Sequence, residues 1–278
     1  MCQEQKVARL RPALGTLVAI EACSGDPGSA DRALEAGFDA IQGIERRLHP
    51  TRAGSDLARL NGARAGTRVP VHASTVLILE LSRRLCLASA GRFEPALPGH
   101  GSILDWMSAG RAAITVRRRA HVDLGGIGKG FAVDLAVAAM RRAGAHSGLV
   151  NAGGDLRVFG QQRWTAWLRG ADGALRELAL RNCALAASDP GARDRPREHR
   201  GYYAGRRAAN QNAASRASPG RVARQPYDEP CAVVARCAAL ADGLTKVVMN
   251  ASPAQVAAIL AGFRAYTITR GEAIVVST

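Results

Sequence analysis

Residues 122–134 read VDLGGIGKGFAVD, and the four glycines at positions 125, 126, 128 and 130 constrain this chain more than any other stretch. Inside a helix or strand a glycine is worse than alanine by about 0.5–1 kcal/mol, so such density marks backbone that turns tightly or comes close to a ligand or another strand. Two phosphate-binding motifs are excluded. A P-loop needs glycine five positions before the Gly-Lys pair and Ser or Thr after it, where this chain has Asp123 and Gly130. The glycines are also spaced GxGxG rather than GxGxxG. What remains is a strand entering a glycine turn with a single lysine, Lys129, and opening a helix. That geometry offers backbone N–H groups and a helix N-terminus to an anion. Equally, it is the geometry of a plain strand-to-helix turn with an exposed lysine.

One helix further on stands NAGGD, residues 151–155. Alone it reads as a hairpin bend whose Asn and Asp bond their own backbone; its position after the first glycine turn makes it informative. A third stretch, ADGLTK at 241–246, places Asp242, Thr245 and Lys246 at i, i+3 and i+4, on one face of a helix. A carboxylate and a hydroxyl there are hard oxygen donors of the kind Mg²⁺ prefers, although Asp242 alone reads equally as a helix cap.

Helices and antiparallel strands are expected to mix along the chain. A strand is expected at 14–22, then a helix capped by Asp31 with Leu34, Phe38, Ile41, Ile44 and Leu48 along one stripe, stopped by His49-Pro50. Ser74 is expected to cap a second helix that buries Leu77, Ile78, Leu81, Leu85 and Ala88 and ends at Gly91. A strand is expected at 113–116. A third helix, 130–143, is expected to bury Phe131, Leu135, Ala138 and Ala139, with Gly144 terminating it. Runs at 148–151, 156–159, 164–168 and 175–180 read as an antiparallel meander. Ser252-Pro253 starts a last helix, to about 262, and 265–269 with 272–277 read as a hairpin.

The chain has 278 residues, 47% of them hydrophobic, enough for a substantial core, and reads as one domain over 1–278. No stretch approaches the roughly 18 uninterrupted apolar residues of a membrane span. The start MCQEQKVARLRPALGT has no apolar secretory core, so the expectation is a cytoplasmic protein. The net charge of +15 is almost all arginine, since Lys6, Lys129 and Lys246 are the only lysines. Nine arginines against three acidic residues crowd 189–224, which reads as a flexible loop. With 4% aromatic residues there is little to stack bases on, and no nucleic-acid partner is expected. The six cysteines show no CxxC spacing and read as buried free thiols.

LGT at 14–16, SDLARLN at 55–61, RFEP at 92–95, DLGGIGKGFAVD, LVNAGGDLRVFG and ADGLTK, in that order, resemble the ApbE-like family of FAD:protein FMN transferases. The resemblance implies an α+β fold of the family's own, T-fold-related type. It implies FAD as substrate, Mg²⁺ as cofactor, and an acceptor flavoprotein whose Ser or Thr hydroxyl takes FMN as AMP leaves. By similarity Leu14, Thr51, Arg92, Phe93, Glu94, Asp123 and Lys129 occupy flavin-nucleotide positions. The Gly126 carbonyl, Asp242, Thr245 and Lys246 occupy the metal positions. No residue is assigned as a catalytic base.

Three departures stand out. Phe93-Glu94-Pro95 replaces the family's Phe-Asp-Pro, so the carboxylate reaches one methylene further. The metal-binding threonine typically stands four residues after the aspartate, where this chain has Lys246, and an ammonium group has no lone pair for a metal. Either Thr245 serves instead, or Lys246 contacts phosphate and replaces the ion. The family's Ser-Gly and His-x-x-Asp-Pro elements are not recognisable after residue 185. The alternative expectation is therefore a non-catalytic FAD-binding or flavin carrier protein with a degenerate metal site.

Overall fold

The computed structural model describes residues 5–169, 174–188, 231–268 and 276–277. The arginine-rich stretch 189–224 lies outside them. The chain opens with β1 (Gln5–Ala13) and β2 (Thr16–Ser24), paired antiparallel through a turn at Leu14-Gly15. Helix α1 (Pro27–Leu48) follows and buries Leu34, Phe38, Ile41 and Ile44, the stripe expected from their spacing. Its cap is Asp26, which accepts from the Ser29 N–H at 2.8 Å, with Pro27 in the first turn. Asp31 instead lies within the helix and pairs with Arg9 on β1.

Next come α2 (Asp56–Gly62), β3 (Arg68–Pro70), α3 (Ala73–Ala88), α4 (Ile103–Trp106), β4 (Met107–Ala109) and β5 (Ala113–Val116). The cap of α3 is His72, not Ser74: the His72 Nδ1 accepts from the Ser74 N–H at 3.1 Å. The buried face of α3 is also rotated from the expected one. Thr75, Ile78, Leu79, Ser82, Leu85 and Cys86 point inward, while Leu77 is 60% exposed. Strand β5 pairs with both β3 and β4 to make a small antiparallel sheet.

Asp56 ties this region together. Its Oδ2 accepts from the Thr75 hydroxyl at 2.6 Å and the His72 N–H at 2.9 Å, and Arg59 bonds its other oxygen. Burial would raise the Asp56 pKa, but those hydrogen bonds outweigh it and hold the carboxyl below its ordinary range. A depressed carboxylate contributes stability that is present above the unfolded pKa of about 3.9 and lost as pH falls through the folded value. Asp56→Asn is accordingly expected to lower stability at pH 7 by about 2 kcal/mol. Thermal melts from pH 7 to pH 2 check this: the gap between variant and parent narrows below about pH 4.

The rest of the chain builds the main sheet. Helix α5 (Gly128–Arg142), β6 (Ser147–Ala152), β7 (Asp155–Phe159), β8 (Trp164–Arg169), β9 (Leu175–Arg181), β10 (Ala184–Ser188), β11 (Cys231–Ala235), α6 (Ala238–Asn250), α7 (Pro253–Phe263), β12 (Tyr266–Thr267) and β13 (Val276–Ser277) complete the order. A seven-stranded antiparallel sheet runs β1-β2-β6-β7-β10-β11-β12. Alternate residues point to opposite faces of a strand, and here both faces are covered. Val150, Ala186, Val233 and Ala235 join one core with α1, α5 and α6. Leu149, Leu185, Ala232 and Val234 join a second core with Trp164, Leu178 and Leu180 of β8 and β9. That double coverage is why CAVVA in β11 has no polar alternation.

Several expectations are corrected here. The meander divides: β6 and β7 lie in the main sheet, whereas β8 and β9 form a separate sheet with β13. Strands β12 and β13 are not a hairpin, since β12 pairs with β11 and β13 lies parallel to β9. Helix α5 buries Ala132, Val133, Ala136, Val137 and Met140 beside Phe131, with Leu135 half-buried and Ala138 exposed. Helix α7 begins as expected, with Ser252 and Gln255 forming a capping box ahead of Pro253. The architecture is mixed α+β, as expected. Among the described residues no disulfide joins Cys23, Cys86, Cys183, Cys231 or Cys237, of which the first three are buried and the last two half-buried, and no helix is long and apolar enough to cross a membrane.

Candidate functional site

At one end of the main sheet the β1–β2 turn meets the β6–β7 turn. Leu14 and Gly15 both have positive φ, at 55° and 69°, and the Leu14 N–H donates to Glu45 Oε1 of α1 at 2.9 Å. In the neighbouring turn Gly153 and Gly154 have φ of 61° and 97°, and Asn151 Oδ1 accepts from the Gly154 N–H at 2.9 Å. A Cβ on Gly153 would stand 2.6 Å from Thr16 Oγ1, so the two turns touch through a glycine.

The glycine-rich segment reaches the same end. Asn61 of α2 grips Val122 from both sides: its Nδ2 donates to the Val122 carbonyl and its Oδ1 accepts from the Val122 N–H, each at 2.9 Å. The Asp123 N–H donates to the Pro95 carbonyl at 2.9 Å, and Asp123 Oδ1 accepts from the Gly125 N–H at 2.8 Å. Gly126 is buried in the turn before α5. Helix α5 then starts at Gly128, and its N-cap residue, Ile127, offers no side-chain acceptor. The Lys129 ammonium bonds Asp155 Oδ2, which joins the first glycine turn to the end of the second.

Helix α6 closes the group. The Gly130 N–H donates to Asp242 Oδ2 at 3.3 Å, and Lys246, one turn along α6, donates to Asp242 Oδ1 at 2.8 Å. Lys246 also donates to Thr245 Oγ1 at 2.9 Å and to Ser188 Oγ of β10 at 3.0 Å, and those hydroxyls bond each other at 2.8 Å. Asp155, Asp242, Thr245 and Lys246 are all buried. Burial, with Asp242 nearby, pushes the Asp155 carboxyl up to about 6 against the pull of Lys129 and Lys246. Asp242 itself is held below its ordinary value: burial opposes this, but Lys246, Lys129 and the Gly130 N–H prevail.

This donor set does not fit Mg²⁺. Such an ion needs oxygens at about 2.0–2.1 Å in near-octahedral array. Asp242 Oδ1 and Thr245 Oγ1 both face the Lys246 ammonium instead. Among the described residues the carboxylates Asp155 and Asp242 are each paired with an ammonium group, Lys129 and Lys246 respectively. Among the described residues no group of three His, Cys, Asp or Glu side chains could share an ion.

Leu14, Asp123, Gly126 and Lys129 thus lie on the turns and the α5 start described above, and Asp242, Thr245 and Lys246 lie along α6. Thr51 is exposed on the loop between α1 and α2. Phe93 is buried in the main core, and Arg92 Nε is buried with no hydrogen-bond partner among the described residues. Glu94 turns inward. Its Oε1 accepts from the Ala96 and Ile103 N–H groups, each at 3.0 Å, and its Oε2 from Ser102 Oγ at 2.6 Å, so it organises the loop entering α4. The sequence gives no sign of the partners of Asn61, Asp134 or Ser188, and Asp155, read as bonding its own turn, bonds Lys129 instead. Asp134 accepts from the Ala238 and Ala239 N–H groups, both at 2.9 Å, capping α6 from α5. Its position in FAVD gave no hint of a partner about a hundred residues away.

A family model described as the ApbE family matches residues 14–105 and 101–202. The chain belongs to the ApbE family. Its fold is that of solved members at low identity. The flavinyl transferase ApbE of Pseudomonas stutzeri, in apo form, superposes with TM-score 0.74 at 18% identity, over 97% of this chain and 93% of that one. The ApbE protein of Thermotoga maritima gives 0.73 at 18%, over 95% and 93%. The flavin transferase ApbE of Vibrio cholerae gives 0.72 at 16%, over 95% and 93%. No curated protein sequence matches the chain.

Proposed function

We propose that this ApbE-family chain is a flavin transferase that binds FAD and moves its FMN half onto a Ser or Thr hydroxyl of an acceptor flavoprotein. The observation that carries the reading is the meeting of two glycine turns through Lys129 and Asp155, beside the first turn of α5. A diphosphate needs concentrated positive potential and backbone that approaches without side chains, and a helix N-terminus beside a lysine provides both. Asp155 and Asp242 hold Lys129 in that place; burial lowers the lysine pKa, but the two carboxylates outweigh it and keep it charged.

In the reaction the acceptor oxygen bonds to the FMN phosphorus and the bond from that phosphorus to the bridging oxygen of AMP breaks. AMP leaves with the bridging oxygen, and the hydroxyl proton passes to it or to solvent. Preorganised donors at the diphosphate stabilise the charge that grows on the leaving phosphate. Incubating the chain with FAD and a candidate acceptor, then running a denaturing gel, is expected to leave flavin fluorescence on the acceptor band. FAD bound normally with no covalent flavin on any acceptor would contradict transfer.

The inward turn of Glu94 favours a second reading, a non-catalytic FAD-binding protein, because that carboxylate is committed to the chain's own backbone. Steady AMP release from FAD excludes it.

A further inference from the structure

We propose that this chain holds its nucleotide without a divalent ion, because the Lys246 ammonium stands permanently in the ion's place. Three oxygens from two elements converge on that ammonium: Asp242 Oδ1 at 2.8 Å and Thr245 Oγ1 at 2.9 Å from α6, and Ser188 Oγ at 3.0 Å from β10. A carboxylate and two hydroxyls converging on one point form a cation site, and here the cation is covalently attached. It is enclosed as well, since Asp242 and Thr245 have no exposure and Lys246 only 7%.

The tether is built into the helix. Asp242 and Lys246 are one turn apart on α6, so their side chains lie on the same face. The far side of Asp242 is fixed by the Gly130 N–H at the start of α5. Lys129 brings a second ammonium to the cluster through Asp155. A dication entering at about 4 Å from Lys246 would be opposed by about 30-fold in affinity even at the dielectric constant of water, and by more in this buried setting.

Use of this fixed cation for a diphosphate rests on the flavin-transferase reading; exclusion of the dication does not. The test therefore omits FAD. Mn²⁺ is titrated into the purified chain and free ion is read by electron paramagnetic resonance. The wild-type chain is expected to show no binding at this site tighter than about 1 mM. Lys246→Thr, which removes the ammonium and adds a hydroxyl, is expected to bind Mn²⁺ about 30-fold or more tighter, and adding Asp242→Asn is expected to abolish the gain. Wild-type binding in the micromolar range that Asp242→Asn removes would overturn the proposal. So would a folded Lys246→Thr chain with no gain. If that variant does not fold, the wild-type titration and its Asp242→Asn control decide the matter.

Discussion

Asp242→Ala is expected to destabilise the fold by about 3–5 kcal/mol, the usual cost of leaving one partner of a buried ion pair alone. The Asp242 side chain is fully buried and pairs with Lys246, which is itself only 9% exposed at the side chain. Without the carboxylate, the Lys246 ammonium keeps its hydroxyl partners but loses the Asp242 charge, and the Gly130 N–H loses its acceptor. For a chain of this size the loss corresponds to a drop of roughly 10 °C in the unfolding midpoint. The double variant Asp242→Ala/Lys246→Met separates charge from packing. Removing both charges and retaining an unbranched apolar chain is expected to recover much of the loss, since a buried pair contributes little net stability over apolar groups. A double variant as unstable as Asp242→Ala alone would mean that the damage is cavity formation, not loss of the ion pair.

Gly130→Ala is the other large effect expected. A Cβ at position 130 would lie 2.2 Å from the Ala238 carbonyl oxygen and 2.5 Å from its carbon, and both are backbone atoms. No side chain can turn aside, so α5 and α6 must separate, and the Asp134 cap and the Gly130–Asp242 bond separate with them. Overpacking of this kind costs about 3 kcal/mol or more, while alanine's better helix propensity returns about 1 kcal/mol. The net loss is about 2 kcal/mol or more, measured by denaturant titration. Gly128→Ala, two residues earlier, is the matched control: nothing lies within 4 Å of its Cβ, so it is expected to be neutral or slightly stabilising.

The four glycines of 125–130 were legible as a place of close approach, but what they approach was not. Sequence spacing pointed to an anion; Gly130 instead admits the start of α6, and Gly153, in the next turn, admits Thr16. The apolar stripe of α1, strand β5 and the Ser252-Pro253 start were readable because each is a local pattern with a local cause. The inward face of α3 is hard to read because two polar residues, Thr75 and Ser82, are buried in it and break the apolar period; Thr75 is satisfied internally by Asp56. Strand β1 escaped notice because Arg9, Arg11 and Pro12 resemble an exposed segment. The two arginines are held by Glu35 on α1, a partner that appears only once the helix is folded back.

The candidate site shows the same division. That Asp242, Thr245 and Lys246 share a helix face followed from their spacing, whereas the third oxygen, Ser188 Oγ, comes from a strand 58 residues away. Glu94 matched a motif, yet its bonds to Ala96, Ser102 and Ile103 turn it inward. A motif specifies which residue stands at a position; its hydrogen bonds decide which way it faces.

The most direct test of the central claim is a crystal structure of this chain grown with FAD and Mg²⁺ together. The account predicts the diphosphate at the start of α5 with an oxygen within about 3 Å of Lys129 Nζ, and the Lys246 ammonium still on Asp242. A diphosphate bound elsewhere, or a metal ion between it and Asp242 with Lys246 swung aside, would contradict it.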